Sequence, residues 1–335
     1  MHRTTLAALL FAATLPAHAD IAVTITPERA ALGKRDDVLV TVTLTNTGAA
    51  PERILKARTP FGPAVFALFE VTRDGQPVHY LGREVKRPVP RESDYLVLAP
   101  GESRSARVEL SRSYDMAATG AYAVRYRGAA TAPAAGAMVS NTAAIFNEGR
   151  LPRGTSTPML AAPAGPGLTY AQCSNAQQDT IANAMAAGSA MAANGLAYLS
   201  SGKEQGQRYT NWFGALDAAR QATVNKNFTN IKDAFETKPV KVDCGCDEDY
   251  FAYVYPMQPY TIWVCNAFWT AAMTGTDSMG GTLLHELSHF EIVAGTDDHV
   301  YGQQGAAEMA RTAPQRAINN ADSHEYFGEN SPPLN

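Results

Sequence analysis

No cysteine occurs before Cys173 in this chain of 335 residues, no lysine lies between Lys86 and Lys203, and only 18% of the residues are charged. The first absence confines any disulfide framework to the second half. The second leaves a long central stretch without any lysyl peptide bond. After the leader, no segment holds about 18 uninterrupted apolar side chains, the length a membrane-crossing helix needs, so no membrane anchor is expected. Paired C-x-x-C knuckles, the usual signature of a structural zinc site, are also missing. What is present, at 45% hydrophobic content, suffices for two ordinary domains with separate cores.

The chain opens on basic His2 and Arg3, passes through an apolar stretch from Leu6 to Leu15 and reaches Ala17, His18 and Ala19, a small-x-small signal-peptidase pattern. Residues 1–19 therefore read as a signal peptide, cleaved before Asp20, and the product as secreted. Export places Cys173, Cys244, Cys246 and Cys265 in an oxidising compartment, where an even number of cysteines points to disulfides. Cys244 and Cys246 flank a single glycine and could bond each other only through a strained ring, which leaves two pairings open.

Residues 20–148 have the grammar of strands. Val38, Val40, Val42 and Leu44 alternate with other residues, Asp74-Gly75 marks a hairpin, and further strands are predicted at Tyr95–Leu98, Ala106–Leu110 and Ala121–Tyr126. This spacing suggests an antiparallel all-β immunoglobulin-like sandwich, with a structural or chaperoning role because it carries no catalytic cluster. Residues 149–168 are rich in Gly, Pro, Thr and Ala and read as an exposed linker open to proteolysis. From Gln177 the pattern turns helical, with helices predicted over Asp179–Leu199, Tyr209–Phe235 and Thr276–Ile292 and one or two strands within Tyr250–Val264. The expected architecture is thus multidomain, an all-β sandwich followed by a mainly α (α+β) domain over residues 169–335. Residues 169–335 hold 9 Lys plus Arg against 18 Asp plus Glu, while residues 1–168 hold 19 against 14. Opposite net charges favour docking of the first half on the second. The acidic balance of the second half argues against nucleic acid as a partner.

The segment from Gly280 to Phe290 contains His285, Glu286 and His289 as H-E-x-x-H within a predicted helix. Residues four apart share a helical face, so both imidazoles can reach one Zn²⁺ while Glu286 lies beside the attacking water as general base. A catalytic zinc takes a third protein ligand and keeps a fourth position open. Asp297, Asp298 and His299, in the turn from Gly295 to Gly302, all qualify chemically, and spacing alone does not choose among them.

Together these motifs resemble the aspzincin metallopeptidases, which include deuterolysin and the peptidyl-lysine metalloendopeptidases: H-E-x-x-H is followed by G-T-x-D-x-x-Y-G, met here by His285 to His289 and Gly295 to Gly302. The resemblance covers about Thr169 to the end and implies a zincin-type fold with one zinc per chain. It assigns the third ligand to Asp298 and gives Tyr301 the role of oxyanion donor. It also implies disulfides Cys173–Cys244 and Cys246–Cys265, and places Asp322 and Glu325 where they meet the ammonium of a substrate lysine after the scissile bond. Two carboxylates three apart on one turn make a reasonable cation pocket, against the plainer reading of an exposed acidic helix end.

The expected function is that of a secreted zinc endopeptidase acting on proteins or peptides before Lys, with Arg also considered, and held as a monomeric proenzyme by its own propeptide as inhibitor and chaperone. Broad deuterolysin-like specificity, or a secreted binding protein with an inactive peptidase-like half, are the alternatives. The lysine-free linker leaves Arg150 and Arg153 as candidate processing sites or as inhibitory residues lying in the acidic pocket.

Overall fold

The computed structural model describes residues 21–62, 67–128, 138–150, 167–203 and 205–334. The expected signal peptide, most of the linker and Arg153 lie outside the described residues.

The first half contains β1 (Ile21–Pro27), β2 (Ala31–Leu32), β3 (Leu39–Asn46), β4 (Glu52–Leu55), β5 (Phe69–Arg73), β6 (Gln76–Pro77), β7 (Glu84–Lys86), β8 (Tyr95–Leu98), β9 (Ser103–Glu109), β10 (Gly120–Gly128) and β11 (Met138–Asn147). Alternation does the folding work here. Along β3, Val40, Val42 and Leu44 point inward and are fully buried, as the period of two requires. An eight-stranded sheet runs β6-β5-β10-β11-β1-β3-β9, with β2 attached to β11, and β4 pairs separately with β8. The β5–β6 hairpin turns at Asp74-Gly75, both at positive φ, as the dipeptide predicts. A wholly antiparallel arrangement is corrected in one respect: β1 and β2 both run parallel to β11.

Three residues depart from this half. Strand β7 joins the sheet of the second half, so the boundary near residue 148 does not separate two self-contained sheets.

The second half contains β12 (Thr169–Ala171), α1 (Asn175–Leu199), α2 (Gln207–Phe213), α3 (Ala218–Thr237), β13 (Lys241–Asp243), β14 (Ala252–Val254), β15 (Thr261–Val264), α4 (Met279–His289), α5 (Gln303–Thr312), α6 (Pro314–Ala317) and α7 (Ala321–Glu329). Its sheet order is β12-β13-β15-β14-β7. Ser174 and Gln177 close a capping box that starts α1 four residues before the predicted Asp179. The single helix expected over Tyr209–Phe235 is two, because Gly214 ends α2 and Asp217 caps the start of α3. Helix α4 is shorter than its predicted span. Ser278 accepts a hydrogen bond from the Gly281 amide at its start, and the chain leaves the helix at Phe290. Every residue of α4 is buried, between α1, α3 and α7 and against the β7 side of the sheet. Among the described residues, no helix is long and apolar enough to cross a membrane.

Disulfides join Cys173 to Cys244 and Cys246 to Cys265, the pairing the resemblance implies. The second spans 19 residues and ties the segment before β14 to the end of β15. Closing a loop of that length in the unfolded chain is worth about 3 kcal/mol. Replacing Cys246 and Cys265 together by serine is expected to lower the unfolding free energy by about that amount in urea titrations; an unchanged midpoint would show that the bridge constrains nothing.

Candidate active site

Helix α4 presents His285, Glu286 and His289 toward the end of the sheet where β14 meets β7. Beyond the helix the chain turns through Gly295 at φ 57°, runs to Asp298 and Tyr301, and enters α5 at Gly302, φ 82°. Both glycines of the second motif thus occupy the left-handed backbone region that other residues avoid. Two side chains from the start of α7 pin this turn. Asn320 Oδ1 accepts from the amides of His299 and Val300 at 2.9 and 3.2 Å, and Asp322 Oδ2 accepts from Gly302 at 2.7 Å.

The result is a compact set of donors. His285 Nε2 lies 3.1 Å and His289 Nε2 3.5 Å from Asp298 Oδ1. These three atoms are buried and have no hydrogen-bond partner of ordinary geometry. Orphaned polar atoms carry a desolvation cost that a cation among them removes, so the donor set fits a metal ion. His289 Nδ1 donates to the Thr296 carbonyl at 2.7 Å, which leaves its Nε2 as the lone-pair nitrogen. Burial lowers the His289 pKa to about 4, keeping the imidazole neutral as a ligand must be. Asp322 Oδ1 stands 3.0 Å from His285 Nδ1, in position to orient that ring from behind.

Glu286 is enclosed, and both its oxygens are unpartnered. Burial pushes its carboxyl up to about 8, against opposing pulls from His285 and from the Lys86 side chain and amide nearby. A carboxyl poised in this way is suited to accept and return a proton.

A buried ion cluster adjoins these donors. Lys86 Nζ lies 2.6 Å from Glu325 Oε2, 3.1 Å from Asp277 Oδ1 and 3.7 Å from Asp322 Oδ1, and 5.1 Å from the centre of the Phe251 ring. Burial pulls the pKa of this lysine down, but Glu325, Asp322 and Asp277 outweigh it and raise the pKa well above normal. Tyr326 Oη donates to Asp277 Oδ1 at 2.8 Å and fixes that carboxylate. One residue back, the Val85 carbonyl oxygen is 2.7 Å from Tyr301 Oη, and the Val85 amide donates to Asp298 Oδ2 at 3.2 Å.

The residues singled out from sequence converge, with two exceptions. His285, Glu286, His289, Asp298, Tyr301, Asp322 and Glu325 all meet at one site, and the last two are buried, which overturns the plainer reading of an exposed acidic helix end. Arg150 is a correction to the idea of an inhibitory arginine: its guanidinium binds Asp37 at 2.7 Å and the Ser111 carbonyl at 3.1 Å in the first half, away from the pocket. Arg153 lies outside the described residues. Sequence reasoning missed Asp277, which reads as an ordinary residue before the Ser278 cap, and Asn320, whose role requires a neighbour twenty residues away.

Two helix-borne imidazoles, a third buried carboxylate and an adjacent unpartnered glutamate make up the donor set of a metal-dependent hydrolase. The family described as lysine-specific metallo-endopeptidase, aspzincin M35, matches residues 198–329. An extracellular protease of Aeromonas hydrophila is 47% identical over 315 residues, spanning 90% of this chain and 91% of that protein. A peptidyl-Lys metalloendopeptidase of Armillaria mellea is 36% identical over 310 residues, 89% of this chain and 88% of that one. Among solved structures, a zinc peptidase from Grifola frondosa aligns over all its length and 49% of this chain, with 42% identity and a TM-score of 0.47. The chain belongs to the aspzincin metalloendopeptidase family.

Because Asn320 holds the turn that carries Asp298, Asn320→Ala is expected to weaken metal affinity by about 10-fold or more in competition with a chelator. Unaltered affinity would mean that the turn keeps its shape without this side chain.

Proposed function

We propose that this chain is a secreted zinc endopeptidase that cuts on the N-terminal side of lysine and is made as a latent, monomeric precursor. The observation that carries the specificity is the buried acidic pocket, where Asp277, Asp322 and Glu325 surround one ammonium beside the metal-fitting donors. An arginine fork needs more room and a planar contact that a point charge does not. Relatives named peptidyl-Lys metalloendopeptidases support the same preference. Secretion is supported by the leader pattern, by the absence of any free cysteine among the described residues and by a relative named as an extracellular protease. On this reading, residues 1–19 are the signal peptide, 20–148 an immunoglobulin-like propeptide, 149–168 a linker processed at or near Arg150 and Arg153, and 169–335 the catalytic domain.

One zinc ion per chain would be held by His285, His289 and Asp298, and when bound it supplies Lewis acidity for the water and the scissile carbonyl. Glu286 takes a proton from the attacking water and returns it to the leaving amine. The Tyr301 hydroxyl donates to the carbonyl oxygen as negative charge develops there. Asp322 steadies the ring of His285 and, with Glu325 and Asp277, draws the lysine into place. Burial of α4 keeps bulk water from competing.

Glu286→Ala is expected to reduce turnover of a lysyl peptide by about 10³-fold, while elemental analysis still finds the metal bound; retained turnover would remove Glu286 from the reaction. Glu325→Gln is expected to lower kcat/KM on lysyl substrates by about 100-fold, since it leaves a buried ammonium underpaired. Unchanged selectivity in that variant would move the specificity pocket elsewhere.

A further inference from the structure

Strand β7 lies antiparallel to β14, with Lys86 opposite Ala252, Val85 opposite Tyr253 and Glu84 opposite Val254. Strand β14 is the edge of its sheet until β7 adds to it, so the segment binds as an extended peptide does when it augments a sheet. Its register is specific. The Val85 carbonyl meets the Tyr301 hydroxyl, the Val85 amide meets Asp298, and the Lys86 side chain fills the acidic pocket. The Val85 carbonyl and the Lys86 side chain therefore touch the residues assigned to the scissile carbonyl and to the lysine of a substrate.

We infer that residues 84–86 are a built-in substrate analogue, bound in the productive register, and that Lys86 in the acidic pocket keeps the precursor latent. The inference rests on the lysine-directed reading of that pocket and adds the occupant, its direction and its register. Flanking residues hold the segment in place. Arg83 pairs with Glu248 at 2.8 Å and lies over the Tyr253 ring, and Arg87 donates to Tyr250 Oη at 3.0 Å. The attraction between a basic first half and an acidic second half is thus concentrated on five consecutive residues, Arg83 to Arg87. The segment cannot diffuse away, because β5 and β8 on either side belong to the first half. Its effective concentration at the cleft is correspondingly high. Hydrolysis at Val85–Lys86 adds one water across the amide, giving a Val85 carboxylate and a Lys86 amine. Both ends would remain anchored on β14, so the cleft stays filled whether or not the bond is cut.

The test uses the full-length Glu286→Ala precursor, which cannot turn over. Under brief acetylation with an amine-reactive ester, read by peptide mass spectrometry, Lys86 is expected to react about 100-fold more slowly than exposed Lys34. Comparable labelling of the two would overturn the inference. Burial alone would also protect Lys86, so a second readout is binding of a fluorescent hexapeptide with one central lysine. Adding Lys86→Ala to the same precursor is expected to tighten that binding by at least about 10-fold, because a self-ligand has been removed. Equal binding with and without Lys86 would refute its role as the plug. Lys86→Met keeps the apolar stem and serves in place of alanine if the latter variant does not fold. Both readouts stand whether or not the linker-cleaved wild-type protein cuts lysyl bonds, so failure of the protease reading is seen separately.

Discussion

Burying several carboxylates around one histidine is tolerable only when cations sit among them. Asp298, Asp322 and Glu325 are all enclosed within reach of His285. An unpaired buried charge costs several kcal/mol even after relaxation. The site meets this demand in two places: a metal-fitting position in front of His285 Nε2, and an ammonium position behind it, filled by Lys86. Asp322 belongs to both, facing His285 Nδ1 and the Lys86 ammonium. The metal-fitting position and the acidic pocket around Lys86 are therefore one electrostatic unit, and a change in either is felt in the other.

The surrounding fold is arranged to hold that unit rigid. Helix α4 is enclosed on all sides, so its two imidazoles have little freedom. Helix α7 approaches from behind with Asp322 and Glu325 one turn apart, and the turn between α4 and α5 is fixed by Asn320 and by two glycines at positive φ. Tyr301 packs with the core of the first half, through its contact with Val85, although its motif belongs to the second. The two halves are thus joined at the chemistry itself.

This explains which parts were legible in the sequence. H-E-x-x-H is a local pattern whose spacing encodes its geometry, so it could be read directly, whereas the roles of the glycine-bounded turn and of Asp322 and Glu325 came from resemblance. The choice of Asp298 over Asp297 and His299 and the disulfide pairing also came from resemblance; the two bridges are present, and Asp298 Oδ1 lies 3.1 and 3.5 Å from the two imidazoles. The alternating strands β3, β8 and β10 were visible for the same local reason. Strand β7 was not: three residues are too few for a period, and their partners lie more than 160 residues away. Lys86 is marked in the sequence only as the last lysine before a long gap, and Arg150, nearer the linker, pairs with Asp37 instead. Asp277 and Asn320 act through neighbours brought close by folding, and no window of sequence contains those contacts.

Mapping bond cleavage tests most directly whether the cleft is metal-dependent and lysine-directed, as proposed. A reduced and unfolded protein is digested with the linker-cleaved enzyme, with and without a chelator, and every new terminus is identified by mass spectrometry. The predicted result is cuts immediately before lysine that vanish with the chelator and return on adding zinc. Cuts scattered without regard to lysine, or unaffected by metal removal, would contradict it.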